Sequence, residues 1–232
     1  MESQGLFGQQ CYFDFRRVDG AGEALQQTFQ LRYLVYCIER GFLAEADYPQ
    51  QSESDEFDAY SEHFSAYGRD EQIAGSVRLV RHSESLGYPF QAHCPVFPDV
   101  TLPPIAEAEE ISRLVVSKTY RRRREDNWIG LNENDVEPPP DIAAKRGGHP
   151  IIVLGLYRAM FQYSRENGIR YWYAAMERSL ARLLGRYGFD FTPIGPQVDY
   201  YGPVTVYIAD LRALEEKVSV ADPALFKWFC GD

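Results

Sequence analysis

A chain of 232 residues is long enough for one α/β domain with a well-buried core, and the sequence reads as a single domain over 1–232 with its core in about 12–210 and a C-terminal helical tail, 211–232. Hydrophobic residues at 45%, aromatics at 14% and a mean hydropathy of -0.38 exclude a disordered chain. The formal net charge of -10 excludes a general nucleic-acid binder, which needs a broad positive field to displace counterions.

The start, MESQGLFGQQ, lacks a basic segment followed by an apolar core, so no secretory signal is expected. No run reaches the roughly 18 apolar residues of a membrane span. IIVLGLYRAMF comes nearest and is broken by Arg158. Cys11, Cys37, Cys94 and Cys230 stand apart, with no CxxC pair, which fits free thiols. The expected location is the cytoplasm.

In chain order, CYFDFRRV (11–18) reads as a strand. A helix follows over 22–41, because Leu25, Phe29, Leu31, Leu34, Val35 and Ile38 recur as an apolar stripe and Gly41 closes it. Residues 43–61 are acidic and turn-rich and form a loop. Segments 63–70 and 72–82 make a hairpin, and a proline-containing connection over 83–108 leads to the strand EISRLVVS, 110–117. A polar, proline-broken loop (121–150) ends in KRGGHP, whose Gly-Gly pair is a turn or an anion-binding helix entry.

Next comes a helix over 151–168 that stops at Gly168, then the strand RYWYAAM, the helix ERSLARLLGRYG, the strand FDFTPIG and a last strand, PVTVYIADL (203–211). The order β-α-β-β-β-α-β-α-β-β implies a mixed α/β sheet.

Phosphate-binding loops of the GxxxxGK[ST] and GxGxxG kinds and the GxSxG elbow are missing. The four histidines have no metal-ligand spacing with one another or with cysteine, so no metal is expected. The acids in ESDEFD lack the central glycine and closing glutamate of a calcium loop. What remains is charge inside otherwise apolar elements: Arg32, Arg78, Glu110 and Arg113, with the loop acids Glu53, Asp55 and Asp58. A structural ion-pair network is one reading of this set, and a catalytic site is the other.

Taken in order, Arg32, Tyr36, Phe42, the Glu53-x-Asp55-x-x-Asp58 segment, Arg78 in a VRL strand and Glu110-Ile-Ser-Arg113 resemble the acyl-homoserine-lactone synthases, a branch of the GCN5-related N-acyltransferase (GNAT) fold. The phrases LRYLVYCIERGFL and EISRLVVSKTYRRR are more similar still to the long-chain N-acyl amino acid synthases and to the acyltransferases associated with PEP-CTERM/exosortase systems. The resemblance covers roughly residues 12–210. It implies an α/β GNAT fold whose mixed sheet splays between its fourth and fifth strands, an acyl thioester donor and an amine acceptor.

On that footing the resemblance makes Glu110 the base that accepts the amine proton, and the backbone of Leu114, Val115 and Val116 the place where a pantetheine arm adds as a strand. Arg32, Arg78 and Arg113 then orient the acids or grip an acceptor carboxylate. In a regular strand Glu110 and Arg113 point to opposite faces, so a bulge is expected near them.

Coenzyme A users of this fold carry a glycine-rich loop after the fourth strand. Here KTYRRRREDNW has no glycine before Gly130. The expected donor is therefore acyl carrier protein, an acidic partner steered by Lys118, Arg121, Arg122, Arg123 and Arg124, with acyl coenzyme A less favoured. Tyr36 and Phe42 stand where lactone synthases carry Phe and Trp around adenosylmethionine, which tilts the acceptor towards an amino acid or similar small amine. No permanently bound cofactor is expected, and the product is expected to associate with membranes. The alternatives are a lactone-type signal synthase using adenosylmethionine, and a non-catalytic acyl-lipid sensor that partners an exosortase system.

Overall fold

The computed structural model describes residues 13–120 and 151–231. The first two residues of the expected opening strand, the 121–150 loop with its KRGGHP turn, and Arg121–Arg124 lie outside the described residues. Seven strands form one sheet in the order β1-β2-β3-β4-β5-β7-β6. They are β1 (Asp14–Val18), β2 (Ser61–Tyr67), β3 (Ile73–Arg81), β4 (Ala108–Val116), β5 (Tyr171–Met176), β6 (Thr192–Asp199) and β7 (Pro203–Asp210). The helices are α1 (Glu23–Tyr33), α2 (Ile151–Glu166), α3 (Arg178–Gly185), α4 (Leu211–Ala221) and α5 (Pro223–Cys230). No helix among the described residues is long and apolar enough to cross a membrane.

The described residues fall into two compact units interleaved along the chain. The first takes the described parts of Met1–Ser54, His63–Val77 and Arg113–Ala159. Here β1 pairs antiparallel with β2, from Asp14↔Tyr67 to Val18↔His63. Thr28 of α1 shares a 2.9 Å hydrogen bond with Ser65 of β2. Leu31, Val35 and Val115 form the apolar cluster beneath α1, with Tyr36 and Ile73 against it. Gly75 admits α2 closely: a Cβ there would lie 2.7 Å from Ile152 Cγ2 and 3.0 Å from the Val115 carbonyl oxygen.

The second unit takes Asp55–Glu62, Arg78–Ser112 and the described part of Met160–Asp232. The parallel ladder joins the first four residues of β4 to the first four of β5, Ala108↔Tyr171 to Ile111↔Ala174. Antiparallel ladders then tie β5 to β7 and β7 to β6. Tyr88, Phe90, Cys94, Ala108, Tyr173, Ile194, Val204 and Val206 pack together as its core.

Three expectations need correction. Only part of the apolar stripe on the first helix is buried: Leu31 and Val35 face inward together with Thr28 and Arg32, whereas Leu34 and Ile38 are 50% and 48% exposed. The inner face is chosen by what meets it, and Arg32 is needed there for an acid. Second, the helix does not run evenly to Gly41, because Leu34–Glu39 form a π-turn in which Arg40 N–H reaches the Val35 carbonyl five residues back at 3.0 Å. Third, FDFTPIG belongs to the sixth strand only from Thr192 onward. Phe189 and Phe191 are core residues, Phe189 packing on Phe229 at 4.6 Å between ring centres, and β6 begins at Thr192 and runs past Pro196 as the edge of the sheet. An edge strand tolerates prolines because it has no second neighbour to supply with N–H donors.

Candidate active site

The first unit gathers Arg32, Tyr36, Phe42, Glu53 and Arg113. Glu53 is fully buried and its backbone N–H bonds to the Phe29 carbonyl of α1 at 3.0 Å, which holds it against the helix. Its Oε2 accepts from Arg32 Nε at 2.5 Å, and its Oε1 accepts from Arg113 Nε at 3.2 Å. One carboxylate thus bridges two guanidinium groups. Charges this deeply placed persist only when paired, since an isolated buried ion costs several kcal/mol. Burial first, then Glu53 with Glu45 and Asp47, pushes the neighbouring Cys37 thiol pKa up.

The π-turn arranges the aromatic part of this cluster. The Tyr36 carbonyl accepts from Phe42 N–H at 2.8 Å and from Leu43 N–H at 3.3 Å, folding the chain back so that the Tyr36 and Phe42 rings lie 6.3 Å apart. The Arg113 guanidinium sits 5.4 Å over the Tyr36 ring, and that of Arg32 5.2 Å over Phe29. Cations over aromatic faces are held by the ring quadrupole and lose less on leaving water.

Arg113 has φ 52°, in the left-handed region, although it lies inside β4. A non-glycine residue pays for that conformation, and a left-handed residue in a strand interrupts the pleat as bulges do. The irregularity expected near Glu110 and Arg113 is seen as this left-handed backbone at Arg113. Leu114, Val115 and Val116 follow it, the last two buried, and Ser117 N–H bonds to the Ala74 carbonyl at 2.8 Å. Lys118 is exposed in a single turn after the strand.

In the second unit Arg78 organises the acids. Its Nη1 donates to Asp55 Oδ1 at 2.5 Å and Asp58 Oδ1 at 2.7 Å, its Nη2 to Asp55 Oδ2 at 2.9 Å, and its Nε to Ser112 Oγ at 2.8 Å. Four of the five guanidinium N–H groups are engaged, so Arg78 orients these acids rather than offering a free fork to an acceptor. The acids also cap their own turn: Asp55 Oδ1 accepts from Phe57 N–H at 3.0 Å and Asp58 Oδ2 from Asp55 N–H at 2.8 Å.

Glu110, also in the second unit, is buried, and its Oε2 accepts from Phe90 N–H at 2.9 Å. Tyr88, Phe90 and Tyr173 wall it in, with ring centres 6.0 Å apart for Tyr88 and Phe90, and 5.2 Å and 5.1 Å from these to Tyr173. Tyr88 gives its hydroxyl proton to the Ala108 carbonyl at 2.7 Å. Burial raises the Tyr88 hydroxyl well above its ordinary range and that of Tyr173 to about 12. The Cys94 thiol is raised by burial and then by Glu110. Among these groups, the carboxylate is the one able to serve as a proton acceptor.

Sequence reasoning missed several partners. Ser112 and the Phe90 amide show no signal by residue type. Glu109, beside Glu110, is a second buried carboxylate that the EE pair could have flagged; burial, opposed by Arg81 and helped by Glu62, pushes it up to about 7.

Residues 31–129 match the acetyltransferase (GNAT) domain family, a stretch that contains every candidate residue from Arg32 to Arg124. No curated protein matches the sequence. Among solved structures, the chain is similar to the acyl-homoserine-lactone synthase LasI, with a TM-score of 0.60 and 16% identity over 90% of this chain and 92% of that one. BjaI, a coenzyme-A-dependent acyl-homoserine-lactone synthase seen with adenosylmethionine and isopentyl coenzyme A, gives 0.59 and 21% over 87% and 81%. FeeM, an N-acyl amino acid synthase from uncultured soil microbes, gives 0.54 and 14% over 90% and 96%. The chain therefore has the GNAT fold: a mixed α/β sheet with one parallel pair, β4–β5, and flanking helices.

Proposed function

We propose that the protein is an N-acyltransferase that moves a long-chain fatty acyl group from acyl carrier protein to the amino group of an amino acid or similar small amine. One observation carries the reading: Glu110, a buried carboxylate oriented by a backbone N–H in an aromatic surround, sits on β4 within its parallel ladder to β5.

The chemistry follows from that group. The neutral amine nitrogen attacks the thioester carbonyl carbon, the C–N bond forms, and the C–S bond breaks as the tetrahedral intermediate collapses. The proton shed by nitrogen passes to Glu110, directly or through one water, and the departing thiolate takes up a proton. An acyl-cysteine route is disfavoured, because Cys94, the thiol beside Glu110, is held in its protonated form, which is a poor nucleophile. The backbone of Leu114–Val116 receives the pantetheine arm as an added strand. Arg113, beside Tyr36 and Phe42, is the cation offered to an acceptor carboxylate, with Arg32 buried behind it to hold Glu53 in place.

The donor reading rests on charge. Lys118 and Arg121–Arg124 give five positive groups within seven residues of a chain whose net charge is -10. Such a patch steers an acidic carrier protein. The test is turnover by the purified protein with long-chain acyl carrier protein, following free thiol and identifying products by mass spectrometry. Thiol release with one or more free amino acids and a linear N-acyl amino acid is expected. A lactone from adenosylmethionine, with no product from any free amino acid, would assign the signal-synthase chemistry instead.

A further inference from the structure

Within the second unit, a cluster that acyl transfer does not use faces away from Glu110. Glu109 is its neighbour in an extended strand, so the two side chains leave on opposite faces. Glu109 is only 2% exposed. Its Oε1 lies 3.6 Å from Arg81 Nε, too far for a hydrogen bond, and its Oε2 has no hydrogen-bond partner among the described residues. Arg81 is held elsewhere: its Nη2 contacts Glu62 Oε1 and donates to the Tyr163 hydroxyl at 3.1 Å.

Each packed element contributes one polar group: Glu62 from β2, Arg81 from β3, Glu109 from β4 and Tyr163 from α2. On β5, Trp172 stands opposite Glu109; it carries no charge and gives its indole N–H to Ser164 at 3.0 Å. Tyr88 is within electrostatic reach, and burial first, with Tyr173 and both glutamates behind it, keeps its hydroxyl protonated. The Tyr163 hydroxyl is likewise raised, by burial and then by Glu109 and Glu62. The group free to titrate near neutrality is Glu109.

Two carboxylates share one guanidinium, and the deeper one is left without a partner for its outer oxygen. A buried carboxylate in that position keeps its proton until a cation turns to it. Arg81 is able to turn, because its side chain is 56% exposed while its two acids are sheltered.

We propose that Arg81 is a proton-controlled latch: with Glu109 protonated it holds Glu62 and the Tyr163 hydroxyl, and when Glu109 releases its proton to solvent the guanidinium turns to the bare carboxylate and slackens its hold on Glu62. Glu62 follows, by four residues, the Asp58 that binds Arg78 in the Glu56–Tyr60 turn. The latch therefore sets how firmly the chain leaving that turn is anchored. Its effect on turnover rests on the acyl-transfer reading, whereas the titration and the movement of Arg81 do not.

The experiment uses the full chain with 13C-labelled glutamate side chains and 15N-labelled arginine, as wild type and as Glu109→Gln. One carboxyl resonance is expected to shift between about pH 6 and 8 and to be missing from the Glu109→Gln spectrum. The Arg81 Nε–H signal should shift over the same range in the wild type and stay put in the variant. In a thiol-release assay the wild-type rate profile should carry an inflection in that range that Glu109→Gln loses. A Glu109 resonance that moves only below about pH 5, or an Arg81 signal indifferent to the titration, overturns the latch. Identical rate profiles in the two proteins overturn its link to the Asp55–Asp58 turn. If both NMR shifts appear while neither protein releases thiol at any pH, the latch stands and the acyl-transfer reading falls.

Discussion

Arg113 meets the carboxylate of Glu53 at 3.2 Å from a left-handed backbone, φ 52°, inside β4. A regular strand would place it on the face taken by Glu109 and Ile111, yet it joins the cluster that α1 holds through Arg32. The ion pair is thus made from a backbone that has left the regular pleat.

This gives the first prediction. Arg113→Gly and Arg113→Val both remove the ion pair, but valine is penalised at positive φ and glycine is not. The valine variant should be less stable than the glycine variant by about 1–2 kcal/mol, measured by urea denaturation. Equal stabilities would mean that the strand relaxes once the arginine is gone.

Glu110→Gln keeps the size of the side chain and its acceptor oxygen for Phe90 N–H but removes the base. Transfer should fall roughly 10²-fold or more while the thermal midpoint changes little. Near-normal turnover by the folded variant would take Glu110 out of the mechanism.

Gly195 lies where the chain segment after Phe90 crosses β6: Phe97 N–H bonds to the Ile194 carbonyl at 2.8 Å, and a Cβ on Gly195 would meet the Pro95 carbonyl oxygen at 2.1 Å. Backbone is hard to displace, so Gly195→Ala should destabilise the protein by about 1–3 kcal/mol in chemical denaturation. The same variant should lower turnover more than its loss of folded protein accounts for, because Phe90 lies on the segment pushed aside.

The linkage of Glu109 has a definite sign. Its folded carboxyl binds a proton more tightly than the unfolded chain does, with a pKa near 7 against an ordinary 4.5. The stability it contributes is whole below the ordinary value and is lost as pH rises through about 7. Glu109→Gln should therefore be the more stable protein at pH 8, by roughly 2–3 kcal/mol at most, and should lose the decline with pH. Parallel stability curves for the two proteins across the range from acid to neutral would count against a raised Glu109.

Changing Arg121–Arg124 to glutamate should slow association with acyl carrier protein, and the wild-type interaction should fade as salt shortens the range of the field. Surface plasmon resonance at several salt concentrations reads both effects. Activity on a small acyl-pantetheine surrogate should survive, and unchanged carrier binding would reduce the arginine run to a solvated segment.

The sequence by itself determined the order of strands and helices, because apolar periods of two and of 3.6 mark which residues face a core and glycines mark where elements stop. It also singled out Arg32, Glu53, Asp55, Asp58, Arg78, Glu110 and Arg113, since charge inside an apolar element demands a partner. Only the tertiary structure decided which charges meet: Glu53 takes Arg32 and Arg113, while Arg78 gives four of its five N–H groups to Asp55, Asp58 and Ser112. It also turned Leu34 and Ile38 outward, placed the π-turn that brings Tyr36 to Phe42, and left Glu109 buried with its Oε2 unpartnered among the described residues. Local pattern encodes a face and a period, but ion pairs between residues 20 to 60 positions apart, and a left-handed residue in a strand, are set by packing that no local window contains.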